Sequence, residues 1–327
     1  MQAFSYERAS DATAAIALAQ NAGTRFIGGG TNLLDLMKGD IEKALHLVDI
    51  TKIGLDDIIE NAGGVTIGAL ARNSDVADNP LIRTRYPLLS EALLSGASGQ
   101  LRNMATVGGN LMQRTRCYYF ADSATTMCNK RVPGSGCAAI EGHNRIHAIL
   151  GASQACVATN PADMNVALAA LDATIVVRGA HSERRIPIAD FHRLPGSSPQ
   201  RDTNLEAGEL ITAVELPASP FADHAHYLKI RDRASYAFAL VSVAAALDVS
   251  GGAVRDARIV MGGVAHKPWR AAASERALIG KPLSEASMRE AGALAVRDAQ
   301  PLAENRFKIA LAKNAIVRAL AIAGASA

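Results

Sequence analysis

The sequence predicts a protein of mixed α and β structure, built from three packed units with a loop-rich insertion in the second. Three observations lead to this fold class. The chain has 327 residues, which is more than one ordinary domain needs. Its apolar and charged fractions, 49 % and 20 %, are those of a globular chain. Short strand patterns alternate with helical patterns on either side of two glycine-rich turns.

The first unit, placed at residues 1–58, alternates helical and strand patterns. Ser10 or Asp11 can cap a helix whose alanines repeat at helical spacing, and Gly23 can end it. We then expect, in chain order, a strand over 24–27, the turn Gly28–Asn32, a helical piece over 33–37 and a strand over 44–50.

The second unit, placed at 59–218, carries the other glycine-rich turn, Thr106–Asn110. Residues 114–156 differ from the rest because they hold the cysteines, few long apolar runs and the loop stretch Pro133–Gly136. We therefore expect them to form an insertion with little regular structure. Around these features the patterns predict strands over 65–68, 174–177 and 210–216 and helices over 88–94 and 161–171.

The third unit, placed at 219–327, is predicted to hold a small sheet and several helices. Gly251 and Gly252 separate two strand patterns and mark a hairpin turn. The predicted strands cover 226–230, 239–249 and 254–261, and the clearest helices cover 284–299 and 305–323.

Composition and motifs exclude several function classes. The 34 basic and 31 acidic side chains leave a net charge of +3, which gives no reason to expect nucleic-acid binding. No stretch approaches the ~20 consecutive apolar residues of a membrane span, and the first ten residues carry no signal-peptide pattern. We find no nucleophile triad, and we predict no catalytic residue in this chain.

Both glycine-rich turns can bring main-chain N–H groups close to an anion, because glycine lacks a Cβ atom and tolerates positive φ. The first turn is not a Walker A loop, and Leu33 stands where the third glycine of G-x-G-x-x-G belongs. Each turn alone could be an ordinary tight turn. Two of them in separate units suggest a diphosphate held between them.

All four cysteines, Cys117, Cys128, Cys137 and Cys156, lie in the insertion, and three interpretations compete. Two disulfides would need an oxidising compartment, and a chain this large can bury a core without them. Structural zinc usually shows a C-x₂₋₄-C pair, which is missing here. A [4Fe–4S] cluster needs four thiolates whose spacing is freer in an irregular loop, and a local surplus of basic side chains would favour this anion.

Three ordered motifs resemble those of the flavoprotein subunits of molybdenum hydroxylases, the xanthine dehydrogenase and carbon monoxide dehydrogenase family. They are Phe26–Leu33 (FIGGGTNL), Ala105–Leu111 (ATVGGNL) and Thr159–Asp163 (TNPAD). The resemblance covers nearly the whole chain. It implies an α+β protein with the vanillyl-alcohol-oxidase-type (PCMH-type) FAD-binding fold, in which two α/β subdomains precede a C-terminal α+β domain.

The resemblance implies a set of FAD contacts when it is carried over residue by residue. The first motif would wrap the FAD diphosphate, and the second would meet the same diphosphate or the ribityl chain beside it. Asp163 would bind the adenosine end, Leu210 or Ile211 would line the flavin pocket, and Lys229 would lie near the isoalloxazine ring. Gly96 departs from the pattern, because some relatives carry an aromatic residue there. The implied contacts are Phe26, Ile27, Gly28, Gly29, Gly30, Thr31, Asn32, Leu33, Thr106, Gly109, Asn110, Asp163, Ile211 and Lys229.

The insertion resembles that of the periplasmic aldehyde oxidoreductase branch of the family. The likeness lies in the run QRTRCYYF at Gln113–Phe120 and in the segments around Cys128 and Cys137. In that branch the insertion directly follows the second flavin turn, as it does here. The resemblance implies that the four cysteines hold one [4Fe–4S] cluster close to the flavin.

The implied function is that of an electron-transfer flavoprotein subunit in a molybdenum-containing aldehyde or heterocycle oxidoreductase. A large molybdopterin-binding partner would oxidise the substrate, and a small partner would carry [2Fe–2S] clusters. FAD in this chain would pass the electrons to an external acceptor, for which we expect oxygen, a quinone or a protein because no separate NAD motif is found. The alternatives are a self-contained FAD-dependent oxidase of the same fold and a non-enzymatic, zinc-stapled assembly module. Lacking its own signal peptide, the chain is expected in the cytoplasm, or in the periplasm by co-export with a partner.

Overall fold

The computed structural model describes residues 1–124 and 127–325, and it confirms the mixed α and β fold. The strands are β1 (Ser5–Arg8), β2 (Thr24–Ile27), β3 (His46–Asp49), β4 (Ile58–Asn61), β5 (Gly64–Gly68), β6 (Thr174–Arg178), β7 (Glu183–Pro187), β8 (Leu210–Pro217), β9 (Ala225–Ile230), β10 (Val241–Ser250), β11 (Ala253–Gly262) and β12 (Trp269–Arg270). The helices are α1 (Ala12–Leu18), α2 (Leu33–Lys38), α3 (Asn73–Asp78), α4 (Pro80–Arg85), α5 (Pro87–Ser95), α6 (Gly99–Arg102), α7 (Val107–Leu111), α8 (Tyr118–Ala121), α9 (Asp163–Ala170), α10 (Ile188–Phe191), α11 (Ala272–Leu278), α12 (Glu285–Ala295) and α13 (Phe307–Ala325). Among the helices of these described ranges, none has the length and apolar character needed to cross a membrane.

The first sheet is parallel, with the strand order β1-β3-β2. Helix α1 packs Ala15 and Ile16 against Val48 of the central strand, and the Asp11 carboxylate caps the helix by accepting from the N–H of Ala14 at 2.9 Å. Strand β1 escapes prediction because its four residues are all exposed. Since β2 runs parallel to β3, its carboxyl end opens into the first glycine-rich turn at one edge of the sheet.

The second sheet is antiparallel, with the order β4-β5-β8-β6-β7. Strand β8 lies between β5 and β6, so that Val214 pairs with both Ile67 and Ile175. A register shift next to Val177 places Ile211 opposite that residue. Strand β8 thus connects β5, which precedes the insertion in the chain, to β6, which follows it. Helices α3, α5 and α9 pack around the same core.

The third sheet is antiparallel, with the order β12-β11-β10-β9, and helices α11 to α13 pack on one of its faces. The hairpin between β10 and β11 turns at Gly251 and Gly252, whose φ angles of +60° and +78° require glycine. Helix α12 ends four residues before its predicted end, and α13 begins two residues after its predicted start. The predicted third domain ends at 327, so its last two residues lie outside the described part.

The insertion is held by side-chain amides rather than by a sheet. The Oδ1 atom of Asn129 accepts from the N–H groups of Gly134 and Gly136 at 3.0 and 2.9 Å. The Nδ2 atom of Asn144, which is fully buried, donates to three carbonyl oxygens of residues 139–142. In the described parts of the insertion, 114–124 and 127–156, α8 is the one helix and no strand forms.

Candidate dinucleotide cleft and cysteine cavity

The two glycine-rich turns lie against each other, one at the end of β2 and the other at the start of α7. A Cβ atom on Gly28 would lie 3.1 Å from the Oγ1 atom of Thr106. A Cβ atom on Gly29 would lie 1.8 Å from the carbonyl oxygen of Met104, a separation that no side chain tolerates. Gly29 is therefore required by the close approach of two main-chain segments, which the sequence pattern alone does not show.

Beside this contact lies an open cleft of about 480 Å³. Its walls are the two turns, the first residues of β8 and the loop over 200–209. The predicted FAD contacts found in these walls are Phe26, Ile27, Gly28, Gly29, Gly30, Thr31, Asn32, Leu33, Thr106, Gly109 and Ile211. Asn110 lies one residue beyond the wall, and its Oδ1 atom accepts a hydrogen bond from the side chain of Gln113.

The first turn offers main-chain donors to the cleft. In the chain as described, the N–H groups of Gly28, Gly29, Gly30 and Thr31 donate to no protein atom. Gly30 has a φ of +71°, in the left-handed region that favours glycine. Free N–H groups that line a polar cleft fit an anionic ligand such as the diphosphate of a dinucleotide.

Asp163 and Lys229 lie together, away from the glycine-rich turns. The Nζ atom of Lys229 is 2.7 Å from Oδ2 of Asp163, and the hydroxyl of Tyr227 donates to Oδ1 at 2.8 Å. The two charged side chains are only 4 % and 8 % exposed, so this is a buried ion pair. Burial raises the pKa of Tyr227 well above its ordinary value, and the Asp163 carboxylate adds to that effect. Gly96 lies here too, since a Cβ atom on it would be 3.3 Å from Asp163.

The contact between Asp163 and Lys229 bears on two predictions from the sequence. The resemblance implies that Asp163 binds the adenosine end of FAD and that Lys229 lies near the isoalloxazine ring. The two ends of an extended dinucleotide are far apart, whereas these side chains touch. The contact favours one shared end of an extended FAD molecule for both residues, and the two assignments stay predictions.

A run of cavities leads from the glycine-rich turns to the buried ion pair. A second cavity, of about 320 Å³, is lined by Asp163 together with Arg116, Phe238 and the turn Gly262–Gly263. A narrow cavity between this one and the cleft shares Met112, Asp202 and Thr203 with the cleft and Thr159, Asn160 and Pro161 with the second cavity. The narrow cavity has a volume of only about 10 Å³, which is room for about one water molecule, so the cleft and the second cavity are neighbouring spaces with shared wall residues.

All four cysteines line one further cavity, and all four are free thiols. Cys128 and Cys137 face each other in an isolated antiparallel bridge. Burial raises the pKa of Cys117 to about 12 and that of Cys156 to about 11, so these two groups are neutral thiols near neutral pH. The Nε2 atom of His147 lies 3.0 Å from Sγ of Cys117. The disulfide interpretation therefore finds no counterpart in the structure.

The cavity does not have the geometry of a single-metal site. Over the described ranges, no group of three or more His, Cys, Asp or Glu side chains stands close enough to hold a metal ion. Tetrahedral zinc would bring its sulfur ligands within roughly 3.8 Å of one another, given a Zn–S bond of about 2.3 Å. A cluster of four irons holds its thiolates farther apart than one zinc ion does, so the lack of a tight group does not test it. No finding supports the [4Fe–4S] assignment, and it stays a prediction.

Several residues at these sites escape prediction from sequence. Arg114, Asp202 and Glu42 line the cleft, but no motif assigns them to it, and they come from three separate segments. Tyr227 could have been found, because it precedes Lys229 by two residues on β9 and so faces the same side of the sheet. His147 is buried against Cys117, and no motif in the sequence marks it.

Two family models together match nearly the whole chain. The FAD-binding domain in molybdopterin dehydrogenase matches residues 2–219, and the carbon monoxide dehydrogenase flavoprotein C-terminal domain matches residues 226–323. Together they account for the two FAD-binding halves around the glycine-rich turns and for the third sheet with its helices.

Known proteins resemble the chain over its full length. It is 50 % identical to the aldehyde oxidoreductase FAD-binding subunit PaoB of Escherichia coli, with all of both chains covered. It is 28 % identical to the glyceraldehyde dehydrogenase medium chain of Sulfolobus acidocaldarius, over 93 % of this chain and 90 % of that one. Among solved structures, a carbon monoxide dehydrogenase from Hydrogenophaga pseudoflava has a TM-score of 0.78 at 26 % identity and covers 99 % of this chain and 98 % of its own.

Proposed function

The chain belongs to the FAD-binding subunits of the molybdenum hydroxylase family, and from this premise we propose that it is the electron-transfer subunit of a heterotrimeric aldehyde oxidoreductase. The observation that carries the proposal is the 50 % identity over the whole length to an aldehyde oxidoreductase FAD-binding subunit. The partners would be a large molybdopterin-binding subunit and a small [2Fe–2S] subunit. The name "medium chain" among the relatives supports such an assembly.

Bound FAD would supply the exchange of electrons between the partner's [2Fe–2S] clusters and an external acceptor, which we propose to be oxygen, a quinone or a protein. The diphosphate would lie at the free N–H groups of Gly28 to Thr31. The proposed domains are FAD-binding subdomains at 1–58 and 59–218, the latter with the insertion at 114–156, and a C-terminal domain at 219–327. This division follows the three sheets.

We assign both Asp163 and Lys229 to the flavin end, which revises the position of Asp163. What supports this is that neighbouring cavities share wall residues from the diphosphate turns to Asp163, which would put the pair at the far end of the dinucleotide path. The Lys229 ammonium is matched by the Asp163 carboxylate, and the pair carries no net charge. Lys229 can therefore orient a polar edge of the ring by hydrogen bonding, and the field of its charge is largely cancelled by its neighbour.

We also propose one [4Fe–4S] cluster on Cys117, Cys128, Cys137 and Cys156. What supports it is that four free cysteines from distant points of one loop meet at one cavity. Such a cluster would exchange single electrons close to the cleft. In this chain, the insertion supplies the thiols and the surrounding buried shell that limits access of water.

Substrate oxidation would take place on the large partner. The test is stopped-flow absorbance of the purified chain, alone and mixed with its molybdenum and [2Fe–2S] partners. We expect the flavin to bleach with an aldehyde only in the assembled complex. Rapid bleaching of the isolated chain would contradict the subunit role and favour the self-contained oxidase. Efficient formation of NADH by the complex would contradict the proposed class of acceptor.

An absorption spectrum of the isolated chain separates the proposal from its alternatives. Flavin bands with a broad iron–sulfur shoulder would support both cofactors. Flavin bands alone would contradict the proposed cluster and would be compatible with the FAD subunit or the self-contained oxidase. A colourless chain that takes up zinc would favour the assembly module.

A further inference from the structure

Arg114 connects the cleft with the cysteine cavity. It is the first residue of the insertion, and its main-chain N–H donates to Oδ1 of Asn32, in the first glycine-rich turn, at 3.0 Å. Its side chain lines the cleft, and the guanidinium lies 4.7 Å above the ring of Phe120. Phe120 is buried and belongs to the wall of the cysteine cavity. One residue thus fixes the start of the insertion against the turn that offers free N–H donors.

Two carboxylates orient the Arg114 guanidinium. Its Nε atom donates to Oδ2 of Asp202 at 2.8 Å, and its Nη1 atom lies 3.5 Å from Oε2 of Glu42. Asp202 is held from the other side by the ammonium of Lys130, whose side chain is 1 % exposed. Burial alone would raise the pKa of Asp202, but the Lys130 and Arg114 cations outweigh it and hold that pKa below its ordinary value. The guanidinium is therefore fixed by an ionised partner.

One corner of this guanidinium is left free. Among the described residues, Nη2 of Arg114 has no hydrogen-bond partner. The other cations of the cleft are differently placed. Arg25 is committed to Glu42 and to the carbonyl of Thr24, and Arg201 is exposed. The oriented cation with an unused donor at this cleft is Arg114.

Carboxylates outnumber the three arginines, Arg25, Arg114 and Arg201, in the walls of the cleft. Four carboxylates line it, those of Glu42, Asp202, Glu206 and Glu209. A diphosphate that enters such a cleft is repelled unless cations and N–H donors face it. A planar guanidinium with two edges already fixed is well suited to phosphate oxygens, because little side-chain freedom is lost on binding.

We propose that Arg114 is a cationic ligand of the FAD diphosphate, positioned by Asp202 and Glu42. The inference rests on the binding of FAD in this cleft, which is part of the proposed function. It adds to the main-chain donors of the glycine-rich turn a charged donor that comes from the insertion. It also makes the insertion a part of the dinucleotide site and not only the carrier of the cysteines.

The test measures the dissociation constant of FAD by flavin fluorescence on the deflavinated full-length chain, at several salt concentrations. Arg114→Gln should weaken FAD binding on the order of ten- to hundredfold, as expected for the loss of a charge-assisted hydrogen bond. The dissociation constant of Arg114→Lys should lie between those of this variant and the wild type, because lysine keeps the positive charge but lacks the paired N–H donors of the guanidinium. The affinity of the Gln variant should also depend less on salt.

Arg201→Gln is the matched control, since Arg201 lines the same cleft but is exposed. It should change the dissociation constant less than about threefold, as expected of a screened surface charge. Wild-type affinity in Arg114→Gln, or equal losses in the Arg114 and Arg201 variants, would overturn the inference. So would a Lys variant that binds FAD as weakly as the Gln variant while folding normally by circular dichroism. If the wild-type chain itself binds no FAD, it is the proposed function that fails.

Discussion

The dinucleotide cleft and the cysteine cavity lie on opposite sides of Arg114, but they are built in different ways. The cleft is formed by turns at the ends of paired strands, and its free donors are main-chain N–H groups. The cavity lies in a loop held by side-chain amides, and its candidate ligands are four thiols, of which Cys117 and Cys156 have a pKa raised by burial. A cleft of N–H groups is complete before its ligand arrives. A cavity of thiols becomes a metal site only when protons leave.

The largest effect that separates the two regions is expected from Gly29→Val. The new side chain would collide with the main chain at Met104, so both the contact between the turns and FAD binding should be lost. We expect destabilisation of at least about 3 kcal/mol, as in severe overpacking. The measurements are FAD bound per chain and thermal unfolding. Gly99→Ala is the control, because a Cβ atom there meets nothing within 4 Å. A Val variant that folds with stoichiometric FAD would refute this account.

The second prediction acts on the cavity alone. Cys128→Ser removes one thiol from the cavity wall, and iron content should fall sharply while FAD stays bound. The reason is that the donors of the cleft do not depend on the insertion's thiols. Iron and FAD per chain are measured together. Val132→Ser, at an exposed position of the same loop, should leave both unchanged. Four irons per chain in the Cys128 variant would remove the cluster assignment.

The third prediction concerns the far end of the dinucleotide path. Asp163→Ala leaves the Lys229 ammonium buried without its carboxylate, which should cost about 3–5 kcal/mol of folding free energy. FAD affinity should fall roughly ten- to hundredfold. Urea unfolding and FAD titration provide the two measurements. The double variant Asp163→Ala/Lys229→Met should recover part of the stability, because no unpaired charge remains. Equal stability of the single and double variants would show that the pair is not the cause.

The last effect, the smallest when it is taken per pH unit, is a change in the pH dependence of stability at Lys308. Lys308 donates to the carbonyls of Ile146 and His147 in the insertion and to that of Gly263 in the second cavity. Burial lowers the pKa of Lys308 to about 7 from 10.5.

The sign of this effect follows from proton counting. Between pH 7 and 10.5 the unfolded chain holds more protons at Lys308 than the folded chain does, so stability should rise with pH in this window, by at most about 1.4 kcal/mol per unit. In Lys308→Met that contribution should vanish and the slope should become flatter. Unfolding free energies at pH 7, 8, 9 and 10 are compared. Identical slopes in both proteins would contradict the prediction.

The features that the sequence could predict depend on residues that are close together in the chain. The glycine-rich turns are set by consecutive residues, and the hairpin at Gly251 and Gly252 follows from two adjacent glycines between strand patterns. Helix α9 starts two residues later than predicted, because Ala162 is still extended. Such errors are small, since propensity decides whether a helix forms more firmly than where it ends.

What the sequence could not predict depends on contacts between distant segments. Arg114 and Asp202 are 88 residues apart, and Asp163 and Lys229 are 66 apart. No local pattern brings such residues together, because their meeting depends on how the sheets pack. The resemblance implies opposite ends of FAD for Asp163 and Lys229, because matching motifs contain no information on which residues meet in space.

The attachment of the insertion to the C-terminal helices has a consequence for biosynthesis. The main chain over 144–149 is tied down by Asn305, Lys308 and the N–H of Gln300. A ribosome makes those anchors some 150 residues after the loop they hold. The nascent chain can thus pair its early strands and form the first glycine-rich turn while the thiol-bearing loop still lacks its outer support. The loop that carries the four cysteines therefore completes these hydrogen bonds only after translation has passed residue 308.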